Sequence, residues 1–237
     1  MRTPDGRNLT NGLHETLGRS IVGGGFENGF PTEAELSRLY GLSRSVTREA
    51  VKMLTAKGLL SARPKVGTVV EPSASWNLLD PDVLRWLLER KFSLDLLRQF
   101  SELRLAIEPT AAAFAAEYRN TAAIAAIEVG FARMESASHG EDDALEADIQ
   151  FHVAILHATQ NPFFGQFEEL VRTALYTSIQ FTNQFSGHTA NVAQHREVLE
   201  AIKSGDGEHA RATMYRLIAD VLTLIHEARQ KEPEPAL

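Results

Sequence analysis

Apolar residues recur at three- and four-residue spacing along almost the whole chain, the period of helices laid against a core. Leu13, Leu17 and Ile21 mark a first helix over about 9–22, after a polar stretch at the N-terminus expected to fray, and Gly23-Gly24-Gly25 ends it. Thr32 and Glu35 form a T-x-x-E capping box for a second helix, with Leu36 and Leu39 on its apolar face. Gly41 suits the left-handed residue that closes it, and Ser43 caps a third helix over about 44–57. There Val46, Ala50, Met53 and Leu54 make one buried stripe, and Gly58 is the stop. The period then changes. Residues 61–70 read as a β-hairpin with Arg63, Lys65 and Gly67 at its tip, and no alternating pattern of useful length follows Val70.

Past a short linker, residues 76–88 carry Trp76, Trp86 and five leucines, with Asp80 and Pro81 placed to start a helix. That surface is too apolar for a loose linker, so residues 73–92 are expected to form a linker and docking helix. Further helices are predicted near 94–118, 121–137, 142–159, 163–185, 191–204 and 207–230. Pro109 predicts a kink or a break at Glu108. The expected fold is mostly α: an N-terminal winged helix-turn-helix with a small β-hairpin wing over 1–72, and an all-α antiparallel helical bundle over 93–230. A disordered tail is expected over 231–237, where Glu232-Pro233-Glu234-Pro235 stands.

The net charge of −7 argues at first against a nucleic-acid partner. Dividing the chain reverses that. Residues 1–72 hold ten Lys/Arg and seven Asp/Glu, a net +3, whereas the remainder holds fourteen and twenty-four, a net −10. A basic head on an acidic body is the pattern of a regulator with a separate sensing domain. The absence of cysteine removes disulfides and thiolate metal sites. With no signal-peptide core and no run of 18 apolar residues, a cytoplasmic protein without membrane contact is expected.

On the third helix Arg44, Arg48 and Lys52 fall at i, i+4 and i+8, with Ser45 and Thr47 beside the first turn. Cations of this kind neutralise phosphates, and first-turn side chains reach base edges in the major groove of double-stranded DNA. Arg63, Lys65 and Gly67 supply a wing beside it. The plainer alternative is a three-helix module with a solvated basic face. The order PTEAEL, GLSRSVTREAVKML, GLLSARPKVGTVV resembles the DNA-binding domain of the GntR family of bacterial transcription regulators. The resemblance implies that Arg44 and Arg48 touch an operator and that Lys65 and Gly67 lie near the minor groove. Ala34 departs from the family, in which several members use Arg there on DNA.

In the body, Asp148 and His152 stand at i and i+4 on one helix face, while His157 at i+5 from His152 points elsewhere. His195 sits among apolar residues. Together Asp148, His152 and His195 form an Asp/His₂ set suited to a divalent metal, zinc first, with nickel, manganese or iron as alternatives. The plainer alternative is an intrahelical pair beside a satisfied core histidine. Arg104, in an apolar neighbourhood, suits a ligand carboxylate or a salt bridge to Glu102 or Glu108. Asn191 is either a cavity donor or the cap of its helix.

The segments ELRLAIEPTAAAFAA, ADIQFHVAILHAT, QNPFFGQFEELV and QHREVLEAIKSGD resemble the all-helical effector domain of the FadR branch of the same family. The resemblance implies a metal held by Asp148, His152 and His195, an Arg104 facing the effector cavity, and a fourth histidine replaced here by Leu217. The segment WNLLDPDVLRWLLER resembles the branch that senses sugar acids such as galactonate and gluconate. The leading expectation is a homodimeric, non-enzymatic repressor controlled by a small carboxylate effector of the sugar-acid class. A helical metalloenzyme acting on a hydroxy acid, and an architectural DNA-binding protein with a structural helical body, are the alternatives.

Overall fold

The computed structural model describes residues 6–26, 29–90, 93–185 and 191–231. They fall into two compact units, Met1–Phe92 and Ser93–Leu237. The first unit begins with α1 (Gly6–Val22), three residues ahead of the expected start, then α2 (Glu33–Tyr40) and α3 (Arg44–Ala56). The capping box forms as its residue types require: Thr32 N–H donates to Glu35 Oε2 at 2.8 Å, and Glu35 N–H donates to Thr32 Oγ1 at 3.3 Å. Gly41 ends α2 at φ 65°, and Ser43 Oγ accepts from Val46 N–H at the start of α3. Leu13, Leu17 and Ile21 of α1 close over Leu36, Ala50 and Leu54, so the three helices share one core.

The hairpin follows as β1 (Leu60–Arg63) and β2 (Gly67–Val70), antiparallel, with Leu60 opposite Val70 and Arg63 opposite Gly67. At its tip Val66 N–H donates to Arg63 O at 3.2 Å, and Lys65 takes φ 65° after Pro64. Proline followed by a left-handed residue is the signature of a type II turn. That turn pushes the Lys65 side chain out as an exposed tip.

The segment expected as a linker and docking helix packs on the first unit. A single 3₁₀ turn, Ser73–Ser75, leads to α4 (Pro81–Glu89), and Trp86 of α4 is buried in the core of the first unit. Gly18 makes that contact possible, since a Cβ there would lie 2.2 Å from the Trp86 ring. Charge fastens the same helix: Lys57 Nζ lies 2.7 Å from Asp80 Oδ1 and 2.9 Å from Asp82 Oδ2, and Arg85 Nη2 lies 2.9 Å from Glu15 Oε2. Trp86 is thus a core residue of the head.

The second unit is all helix: α5 (Leu94–Tyr118), α6 (Thr121–Ser138), α7 (Ala144–Ala158), α8 (Pro162–Gly165), α9 (Glu168–Phe185), α10 (Val192–Ser204) and α11 (Gly207–Lys231). Helix α5 packs along α11 and against α7, while α10 lies against α5, α6 and α11. Two expectations are corrected here. Of the kink or break expected at Glu108, the break is absent: helix α5 runs on through Pro109, because the proline removes a single backbone donor and the residues around it, Glu108, Ala111 and Ala112, are held in the buried face. The predicted helix over 163–185 is instead two, since the chain turns at Gln166 and Phe167 between α8 and α9. Gly130 lets α6 press on the backbone of α7: a Cβ there would meet Phe151 N at 2.8 Å. Of the expected tail, residues 232–237 lie outside the described residues, and Lys231 is the last residue of α11.

Candidate functional site

The head carries its basic side chains where α3 and the hairpin expose them. Arg44, Ser45, Arg48 and Lys52 are exposed along α3, and Arg63, Lys65 and Gly67 are exposed at the hairpin. Some of these cations already have anionic neighbours: Arg48 Nε lies 3.3 Å from Glu33 Oε2, Lys52 lies 3.7 Å from Glu49, and Arg63 Nη2 lies 3.0 Å from Glu71 Oε1. Such exposed pairs are worth little and exchange readily for phosphate. Thr47 is placed otherwise. It is 0% exposed, with its hydroxyl donating to Ser43 O at 3.2 Å and 3.1 Å from Ser37 Oγ, so it joins α3 to α2 instead of facing solvent. The helical period explains this, since position 47 lies three residues before Ala50 on the buried stripe.

In the body, α5, α7 and α10 bring four ionisable side chains to one buried point. Asp148 and His152 project from one face of α7, one turn apart, and His195 comes from the first turn of α10. His195 Nε2 lies 3.0 Å from Asp148 Oδ1, His152 Nε2 lies 3.7 Å from the same oxygen, and the two Nε2 atoms are 3.3 Å apart. Exposures of 4%, 1% and 3% for Asp148, His152 and His195 take all three out of water.

The other nitrogen of each ring decides what these atoms are. His195 Nδ1 donates to the backbone carbonyl of Asn191 at 2.8 Å. His152 Nδ1 makes a short contact with Glu108 Oε2, and a carboxylate only accepts, so this nitrogen also carries its proton. Neutral imidazoles with Nδ1 protonated present bare lone pairs at Nε2, and both lone pairs face Asp148. Asp148 Oδ1 is buried and has no hydrogen-bond partner among the described residues. Two lone pairs and one carboxylate oxygen converging in this way are satisfied either by a cation among them or by a protonated ring donating from Nε2 to Asp148. One ligand atom from each of the three residues lies within 4.8 Å of the others. The donor set, with a carboxylate and a carbonyl holding the far sides of the rings, fits a divalent metal of the zinc kind.

With the rings protonated, the site pairs its own charges. Burial pushes the Asp148 carboxyl up, but the neighbouring His195, His152 and Arg104 outweigh it and hold the group below its ordinary value. Glu108 shows the same opposition more strongly. Burial raises it, while the Arg104 charge and then His152 bring it down to about 2.

Arg104 occupies the alternative left open by its sequence neighbours. It is 3% exposed and grips Glu108 with two nitrogens, Nε to Oε1 and Nη2 to Oε2 at 3.4 Å, and Nη2 lies 3.5 Å from His152 Nδ1. Asn191 caps α10, its Oδ1 accepting from Gln194 N–H at 3.2 Å while its carbonyl anchors His195. Leu217 is an ordinary buried leucine of α11. His157 lies on the opposite face of α7 and pairs with Glu168 at 2.9 Å, beside a cavity of about 420 Å³ that it lines with Arg133, Gln150 and Arg172. Glu108 is the residue sequence reasoning missed as part of the centre. Its i,i+4 spacing from Arg104 was visible, but nothing local connects it to a histidine 44 residues away.

Comparison with known proteins is consistent across both units. The model of the bacterial regulatory proteins of the gntR family matches residues 9–70, and that of the FCD domain matches residues 99–220. The galactonate operon transcriptional repressor of Escherichia coli (strain K12) is 34% identical over 218 residues, spanning 90% of this chain and 94% of that protein. The uncharacterized HTH-type transcriptional regulator YieP of the same strain is 32% identical over 208 residues, spanning 86% of this chain and 90% of the other. Among solved structures, the Listeria monocytogenes regulator Lar matches with a TM-score of 0.64 at 19% identity, covering 96% of this chain and 98% of that one, a likeness of fold.

Proposed function

This chain belongs to the GntR family of bacterial regulatory proteins, and from that premise we propose a repressor whose grip on its operator is set by a sugar acid bound at a metal centre in the helical body. It is a DNA-binding transcription regulator with an FCD effector domain. Its relatives are regulators, and the reading here is of a regulator and not an enzyme. In the proposed contact set Arg44, Ser45, Arg48 and Lys52 meet the major groove, with Arg63, Lys65 and Gly67 of the wing on the adjacent backbone. Thr47 supports that helix from behind.

One observation carries the metal part: Asp148 Oδ1, without a hydrogen-bond partner among the described residues, faces the Nε2 atoms of His152 and His195. Asp148, His152 and His195 would hold the ion, and a three-ligand site leaves room for oxygens of a bound molecule. A divalent ion there supplies a Lewis acid that binds carboxylate and hydroxyl oxygens. The similarity to the galactonate operon repressor supports a sugar acid as that molecule. Zinc is the first candidate ion, with nickel, manganese or iron next. No helix of the described residues is long and apolar enough to cross a membrane.

Thermal unfolding of the full chain with a panel of sugar acids tests the reading. A ligand present at 100 times its dissociation constant stabilises the fold by about 2.7 kcal/mol, enough to raise the midpoint by a few degrees. The shift should appear with a galactonate-type acid in zinc-loaded protein and vanish after chelation. An equal shift in chelated protein would remove the metal from the effector site.

A further inference from the structure

Glu108 is the only carboxylate the structure gives to both Arg104 and His152 among the described residues, and it serves them with different oxygens. We propose that Glu108 is a positioning residue that decides which nitrogen of His152 is offered to the metal, and that Arg104 decides how Glu108 is presented. The proposal rests on the metal reading above and goes one step past it.

Arg104 has donors only, and at 3% exposure its guanidinium must find oxygens inside the protein. Glu108 Oε1 and Oε2 both accept from it, and Oε2 also accepts from His152 Nδ1–H. Because the carboxylate has no proton to give, a neutral His152 is locked with hydrogen on Nδ1 and a lone pair on Nε2, 3.3 Å from His195 Nε2. An amide in place of that carboxylate breaks the lock in a defined way. Glu108→Gln leaves one oxygen and one NH₂. The buried guanidinium claims the oxygen, so the NH₂ turns to His152 Nδ1, which must then accept. The proton of His152 moves to Nε2, toward Asp148 Oδ1 and His195 Nε2, and fills the place of the ion. Replacing Arg104 as well, in Arg104→Met/Glu108→Gln, frees the amide oxygen to accept from Nδ1–H again.

The test uses zinc alone, with full-length metal-free protein and a chromophoric chelator as competitor. Far-UV circular dichroism checks that each variant is folded, and long-range ¹H–¹⁵N NMR identifies the protonated nitrogen of His152. Glu108→Gln should bind zinc about 10–100-fold more weakly than the unaltered chain and show hydrogen on Nε2. The double variant should return to within about tenfold of the unaltered chain, with hydrogen on Nδ1. Should Glu108→Gln alone fail to fold, the double variant, which buries no charge at either position, still reports the tautomer. Zinc binding by folded Glu108→Gln within about twofold of the unaltered chain overturns the positioning role. A double variant with hydrogen on Nε2 overturns the part assigned to Arg104. An unaltered chain that takes up no zinc overturns the metal reading itself, and this proposal with it.

Discussion

A side chain's partners on its far side fix what it presents to a site, and this governs both functional regions at the scale of single residues. On α3, Arg48 faces solvent but leans on Glu33 at 3.3 Å. Arg48→Ala and Arg44→Ala are each expected to weaken binding to a selected operator by about 1–3 kcal/mol, with much smaller effects on random duplex. Lys65→Ala should weaken all sequences nearly alike and lower the salt slope by about one. Fluorescence anisotropy at several salt concentrations separates the two behaviours, and an equal loss on both kinds of DNA for the α3 arginines refutes their role. Asp148 and His152 were legible because residue type and i,i+4 spacing survive in sequence, and His195 joined them through its residue type and the resemblance of QHREVLEAIKSGD to the family's effector domain. The burial of Thr47 was legible only through the helical period, and its hydroxyl character drew attention to the wrong face. Glu108 was illegible because its meaning depends on α5 and α7 touching.

Glu108 also makes a pH prediction. Its folded value of about 2 lies below the ordinary 4.5, so its ionised form favours the folded state. That contribution is fully present above about pH 4.5 and is lost as pH falls from there toward about 2. In metal-free protein the melting temperature should therefore fall more steeply below pH 4.5 in the unaltered chain than in Arg104→Met/Glu108→Gln. Parallel curves would mean the pair is not held as described.

At the scale of elements, the caps and stops were readable because they are local chemistry. Thr32, Glu35, Gly41, Ser43, Asp80 and Pro81 all perform the parts their residue types suggest. Close approaches between helices were not readable, since a glycine inside a helix looks only like a weak helix former. Gly130 is such a position. Gly130→Ala places a methyl against Phe151 N, which is rigid backbone, and should destabilise the body by about 1–3 kcal/mol by separating α6 from the helix that carries Asp148 and His152. Denaturant unfolding measures it; a neutral change would show that the two helices part without cost. Pro109 teaches the reverse, because a helix buried along one face tolerates a missing donor that an isolated helix would not.

At the scale of the whole molecule, the charge division into +3 and −10 follows the two functions, DNA contact and ligand sensing. Packing moves the boundary between them later than composition implies. Helix α4 is bound into the head through Trp86, Lys57 and Arg85, so the head that the proposed signal must reach already includes it. One winged helix offers limited surface for specific reading, and a homodimer on two half-sites is the expected functional form. Light scattering at micromolar concentration should give twice the chain mass.

The central claim is that occupancy of the Asp148–His152–His195 centre controls the grip on DNA. Its most direct test is an operator titration by fluorescence anisotropy, using a duplex selected by the protein from a random pool, with and without galactonate, on zinc-loaded unaltered protein and on His195→Ala. The account predicts that galactonate weakens operator binding by the unaltered protein about 5–150-fold, the usual range of such coupling. It predicts that His195→Ala binds the operator with nearly the unaltered affinity in the absence of galactonate and does not respond to it. A His195→Ala protein that still holds zinc and responds like the unaltered chain would contradict it.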